Sequence, residues 1–304
     1  MSDLPSATKF WDAEVVERRH SEWMGCLEVR EYLNTLIGGH VGAWPFEWLL
    51  QHLGGTRLPR ALSIGCGTGA LERDLLHRGI SDRVDAFDGS LGSLVLAREE
   101  ARSVGMLDRL HYFAADFNEP FLPRGVYDAV FFHHSLHHVG KLEKLLPAVM
   151  HALKPDGYLY LDEFVGPSRH YWNDERFASQ RALYHELVPP EARKVELLPT
   201  PVVYEDPSEA IRSGEILEQI RIGFDVEAQV GYGGNILSVI FPAVEWEYAP
   251  PDLVTRLIKA EEEWLAHGEP HYLMLVLARP KRGLAKWIAS ARYVAKRIVL
   301  RFFR

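Results

Sequence analysis

The chain has 304 residues, of which 47% are hydrophobic and 25% charged, with a formal net charge of −8. These proportions are those of a globular enzyme-sized body, not of a disordered or membrane-spanning chain, and the acidic balance argues against a nucleic-acid partner. Two cysteines, Cys26 and Cys66, cannot build a disulfide framework or a structural zinc site, and no secretion signal is evident, so a reducing, cytoplasmic setting is expected.

Residues 1–54 are expected to form a helical cap, because Trp11, Trp23, Leu27, Leu33, Leu36, Trp44, Trp48 and Leu49 recur at three- and four-residue spacings. Gly38 and Gly39 divide it into at least two helices. From Arg60 the pattern changes to short apolar strands alternating with helical stretches: Ala61–Ile64, Val84–Phe87, Leu110–Ala114, Ala129–Phe132 and Tyr158–Leu161. That alternation predicts an α/β domain over 55–280, a Rossmann-like doubly wound sheet with ligands at the carboxyl ends of its strands. Six prolines between Phe164 and Pro207 predict an inserted lid region, about 164–207, without regular elements. A helix over Ser208–Ile222, N-capped by Ser208, and two last strands at Phe224–Val230 and Tyr272–Ala278 around a helix near Leu253–Leu265 complete the domain.

The first strand runs into Gly65-Cys66-Gly67-Thr68-Gly69, whose glycines permit a sharp turn and close backbone approach before a helix that presents free N–H groups. This loop alone also satisfies a relaxed dinucleotide fingerprint. Asp88, 19 positions after Gly69 at the end of the second strand, suits the two ribose hydroxyls or a helix cap. Asp116-Phe117 after the third strand pairs a carboxylate for an adenine amino group with a ring to cover the base. Tyr127–Phe132 leads into His133-His134-Ser135-Leu136-His137-His138, and Leu153–Gly157 reads as a helix stop and turn.

In order and spacing, these five segments, over roughly residues 60 to 165, resemble the class I S-adenosylmethionine-dependent methyltransferases. The resemblance implies seven strands with the last antiparallel, and S-adenosylmethionine as cofactor. Gly65, Gly67, Asp88, Asp116 and Phe117 would contact it, with Cys66, Gly69 and Gly89 in the same loops and His133 beside its methionine part. An NAD-type oxidoreductase and a non-catalytic S-adenosylmethionine-binding protein stand as alternatives. Phe10-Trp11-Asp12, His134–His138, Glu163–Arg169 and Asp206–Ser213 are further similar to a bacterial group of methyltransferases associated with surface-glycan and secondary-metabolite gene neighbourhoods.

Methyl transfer from a sulfonium is an in-line displacement that needs alignment and, for a hydroxyl acceptor, a base. His133, His134, His137, His138, Asp162 and Glu163 fall at the strand ends where ligands bind. The expected activity is O-methylation of a small-molecule, glycan or lipid-linked acceptor, with His138 or Glu163 as base and His137 beside them. Arg169 and Arg212 could each pair with Glu163, and with Trp11 and Trp172 they are the expected substrate contacts. No histidine pair has the zincin arrangement on a helix, so no metal is expected.

The segment Lys281–Arg304 carries eight basic residues and no acidic one, leaving the first 280 residues at −16. Leu284, Trp287, Ile288, Ala291, Val294, Ala295, Ile298 and Phe302 share one helical face there. This pattern suits peripheral contact with anionic lipid, or docking on protein.

Overall fold

A computed structural model describes residues 23–170, 172, 174–200 and 206–302. Trp11 lies outside the described residues, and nothing structural bears on its expected role. Seven strands, β1 (Arg60–Ile64), β2 (Arg83–Asp88), β3 (Leu110–Ala114), β4 (Tyr127–His133), β5 (Leu153–Phe164), β6 (Phe224–Gly231) and β7 (Leu273–Pro280), form one sheet in the order β3-β2-β1-β4-β5-β7-β6. All pairings from β3 to β5 are parallel, whereas β7 runs antiparallel to both β5 and β6.

The central strands β1, β2, β4 and β5, with β7, bury both faces, as a sheet covered by helices on both sides must, while the edge strands β3 and β6 are partly exposed. On one face Ala61, Phe131 and Tyr160 pack with α1 (Leu27–Gly38), α2 (Pro45–Leu53), α3 (Ala70–His77) and α4 (Leu91–Ser103). On the other, Leu62, Val130 and Leu159 pack with α5 (Leu142–Ala152) and α7 (Ile216–Gly223). The chain moves outward from β1 through β2 to β3, then returns to place β4 on the opposite side of β1. The loops after β1 and β4 therefore part at this switch point, where open α/β sheets bind ligands.

Three expectations need correction. The lid region contains a regular helix, α6 (Asp174–Leu187), because its prolines leave the stretch between Pro167 and Pro189 free to be helical. Helix α7 begins at Ile216, not Ser208: Asp206 Oδ1 accepts from the Ser208 N–H at 2.7 Å and Ala210 takes φ +48°, so this segment is a chain of turns. The turn before the fifth strand belongs to β5 itself, whose pairing jumps from Tyr127↔Leu153 to Ala129↔Tyr158 and loops out the intervening residues.

Past a short helix α8 (Leu237–Ile240) and α9 (Leu253–Ala266), the chain ends in α10 (Gly283–Phe302). It docks on α5 and α7 through Ala289 and Tyr293, whose hydroxyl donates to the Gln219 carbonyl. The expected apolar face is thus not the docked one: Leu284 is 73% and Trp287 70% exposed, and Ile288 and Val294 also face outward. No helix among the described residues is long and apolar enough to cross a membrane.

Candidate cofactor and acceptor site

The glycine loop is shaped by what lies against it. Gly65 has φ +76°, and a Cβ there would collide with the Ser135 side chain, whose hydroxyl donates to the Ile64 carbonyl at 2.6 Å. The loop after β4 is thereby laid against the loop after β1. Gly69, also at φ +76°, abuts the Tyr112 ring in the same way. A Cβ on Gly67 would instead meet nothing within 4 Å, so the loop's middle opens onto free space.

Asp88 borders that space. Its Oδ2 accepts from Gly67 N–H at 2.9 Å and its Oδ1 from Ser90 N–H at 2.8 Å, which fixes the carboxylate and leaves further lone pairs for ligand hydroxyls. Burial pushes its acidity down and its pKa up, eased by those two amides. Ser90, not Asp88, caps α4, accepting from Ser93 N–H at 3.0 Å. Half-buried Gly89 lies between them. Asp116 Oδ1 accepts from Asn118 N–H at 2.7 Å, and Phe117 packs on Phe87 at 5.7 Å between ring centroids while its edge approaches Gly65. These residues suit a nucleoside: a seat for ribose at Asp88, an aromatic wall at Phe117, and a backbone cradle at Gly67 with no side chain to fill it. Cys66 is buried, with its thiol pKa raised by desolvation, so it supports the loop through its backbone N–H to Phe87.

At the end of β4 two adjacent histidines turn toward one carboxylate. His133 is the register partner of Asp162 on β5, with Nε2 at 3.4 Å from Oδ2. A following strand residue would normally point to the other face. His134 adopts φ +50°, and its Nε2 comes within 3.7 Å of Asp162 Oδ1. Asp162 is buried and accepts from the Tyr232 hydroxyl. No sequence pattern marked Tyr232, which reaches Asp162 because β6 and β7 fold back beside β5. The His133 side chain remains 47% exposed.

Glu163 behaves differently from its neighbour. It is fully buried and accepts from the N–H groups of Ser135 at 2.9 Å, Leu136 at 2.6 Å and Phe164 at 2.9 Å, and from His137 Nδ1. Burial disfavours its ionised form, but His137 and these amides outweigh that and hold its pKa low. With four donors and no exposure it has no approach for an acceptor, which corrects the expectation that it is a base. His138 Nδ1 lies 3.0 Å from Ser208 Oγ and 3.4 Å from Asp206 Oδ2.

The arginines are committed elsewhere. Arg212 makes a buried bidentate pair with Glu143, at 2.6 and 2.7 Å, and reaches Glu215 from Nε at 2.9 Å; it does not partner Glu163. Arg169 donates to the Asp206 carbonyl at 2.6 Å, bracing the turn segment. Trp172 stands edge-on to Tyr272 at 5.9 Å and to Phe177 at 6.2 Å, and its buried Nε1 has no hydrogen-bond partner among the described residues. The buried Tyr160 hydroxyl likewise has none.

The strand order, the glycine loop and the acids following β2 and β3 define a class I S-adenosylmethionine-dependent methyltransferase fold. Residues 62–161, about a third of the chain, match the family model for a methyltransferase domain, which supports a class I methyltransferase core with S-adenosylmethionine as its cofactor. Among curated relatives, the ubiquinone/menaquinone biosynthesis C-methyltransferase UbiE of Vibrio campbellii is 27% identical over 45% of this chain and 53% of its own length. An uncharacterized protein of Synechococcus sp. is 32% identical over 34% of this chain and 25% of its own. The chain thus spans about half or less of the curated relatives it matches. The geranyl diphosphate C-methyltransferase of Streptomyces coelicolor superposes with a TM-score of 0.55 at 17% identity, covering 91% of this chain and 98% of that one.

Proposed function

We propose that the chain is an enzyme that methylates an oxygen of a small-molecule, glycan or lipid-linked acceptor. When bound, S-adenosylmethionine supplies a methyl group on a sulfonium, a carbon already activated for displacement. The protein's part is then to hold the nucleoside at Gly67, Asp88, Asp116 and Phe117, to exclude water, and to take the acceptor's proton. The observation that carries the oxygen reading is the exposed His133 imidazole set against buried Asp162, with Tyr232 bracing the carboxylate. An acid that orients one nitrogen of an imidazole and stabilises its charged form leaves the other nitrogen as base. In this reading the described residues between 164 and 207 form the acceptor-side cover.

The test is formation of S-adenosylhomocysteine and a methylated product with glycan and lipid extracts, with calorimetric cofactor binding measured separately. Product fragmentation distinguishes an O-methyl from the C-methyl group that the names of two relatives indicate for those proteins. His133→Ala is expected to lower turnover about 100-fold or more with cofactor affinity preserved. Unchanged turnover rejects His133 as base.

The outward Leu284, Trp287, Ile288 and Val294 of α10, beside Arg292, fit shallow insertion into an anionic leaflet. Flotation with anionic liposomes, with and without residues 281–304, tests this; equal flotation of the two forms removes it.

A further inference from the structure

A second pair of imidazoles converges on a carboxylate away from His133. His137 and His138 lie in the one-turn helix Leu136–His138 after β4, and Glu209 lies in the turn segment before α7. His137 Nε2 is 3.7 Å from Glu209 Oε1, and His138 Nε2 is 3.8 Å from Glu209 Oε2. The three donor atoms all fall within 4.8 Å of one another. The two rings are tilted with centroids 4.1 Å apart, and their side chains are only 8% and 11% exposed.

The opposite nitrogen of each ring is held from behind. His137 Nδ1 meets Glu163, which three backbone N–H groups lock in place. His138 Nδ1 meets Ser208 and Asp206, and Asp206 is itself held by the Ser208 N–H and hydroxyl. Both rings therefore have Nδ1 engaged and Nε2 directed at the same carboxylate, each at one of its oxygens. That is the outer-shell arrangement seen behind metal-ligating histidines, where a carboxylate fixes the tautomer and ring orientation. Three carboxylates, Glu163, Asp206 and Glu209, surround two imidazoles in a largely buried volume. A divalent cation would offset two of these three negative charges in a low-dielectric setting.

We propose that His137, His138 and Glu209 bind one divalent transition metal, with zinc the best fit to the donor set. Two imidazole nitrogens and one carboxylate, with a water in fourth place, match zinc's tetrahedral preference. Bond lengths near 2.0–2.2 Å place tetrahedral donors roughly 3.3–3.5 Å apart, so donors that now lie within 4.8 Å of one another close by up to about 1.5 Å when the metal binds. The zincin arrangement misses such a site because the histidines are adjacent on a one-turn helix and the third ligand comes from about 70 residues downstream. The bound metal clamps the turn carrying Ser135, which packs on Gly65, to the segment that Ile211 N–H ties to the His137 carbonyl at 3.1 Å.

The experiment uses the full chain, stripped with a chelator and then titrated with zinc by calorimetry, with metal content measured after dialysis. About one zinc per chain is expected, with a rise in Tm that the chelator reverses. Cobalt(II) in the same site should give the visible absorption of a tetrahedral centre. Glu209→Gln, a near-isosteric change at a partly exposed turn, should weaken zinc at least tenfold while the circular dichroism spectrum is kept. His133→Ala should leave zinc uptake unchanged, which separates this site from the His133–His134–Asp162 cluster and from the methyl-transfer reading. No zinc uptake by the unmodified chain, equal uptake by Glu209→Gln, or loss of uptake in His133→Ala would each overturn the proposal.

Discussion

Glu163, at the end of β5, accepts from His137 Nδ1, which follows β4, so the carboxylate acts as a strut under the neighbouring loop. Its other acceptor positions carry the Ser135, Leu136 and Phe164 N–H groups. Glu163→Ala would leave an imidazole and three amides without partners in a buried site. The expected cost is about 3–5 kcal/mol by urea denaturation, with a smaller loss for Glu163→Gln. A loss below about 1 kcal/mol in the alanine variant would show that this network is not formed.

Asp88 tests the nucleoside seat. Its removal frees the Gly67 and Ser90 amides and takes away the carboxylate proposed to accept from the ribose hydroxyls. Asp88→Ala should weaken calorimetric binding of S-adenosylmethionine at least tenfold, about 1.4 kcal/mol, and unchanged binding would contradict the seat.

Glu72 in α3 gives a pH dependence of unusual sign. Burial lifts its pKa from 4.5 to about 7, with the nearby Ser63 hydroxyl offsetting only part of the effect. Between those values the folded state keeps a proton that the unfolded state has lost, so stability falls as pH rises from about 4.5 to 7 and levels off above. The full effect is about 3 kcal/mol. Glu72→Gln should be more stable than the parent at pH 8, and the difference should shrink toward pH 5. Denaturation series at both pH values check it.

Arg212 separates a structural ion pair from an acceptor contact. Its bidentate pair with Glu143 is buried, so Arg212→Ala should destabilise by about 3–5 kcal/mol. Cofactor affinity measured well below the variant's melting temperature should stay within about twofold, or about 0.4 kcal/mol. A stable variant with impaired acceptor use would restore the recognition role.

The alternation of apolar strands and helices, the glycine loop, Asp88 and Asp116-Phe117 were legible because each depends on neighbours within a few positions. Helix α6 was hidden by counting prolines across a whole region without noting the gap between Pro167 and Pro189. The start of α7 was misplaced because Ser208 suits both an N-cap and the turn that Asp206 makes with it. For α10 the helical wheel found the apolar face, yet Tyr293, outside that face, is what docks.

The local run of residues determined the class of fold and the shape of the glycine loop, since backbone freedom at Gly65 and Gly69 and an acid at a strand end are properties of short segments. Which histidine meets which carboxylate was decided by tertiary structure alone. His133 finds Asp162 through strand register, His137 finds Glu163 across two strand ends, and both His137 and His138 approach Glu209 through a segment about 70 residues away. A side chain's chemistry is set by the charges and donors within a few ångströms, and those distances exist only once the chain has folded.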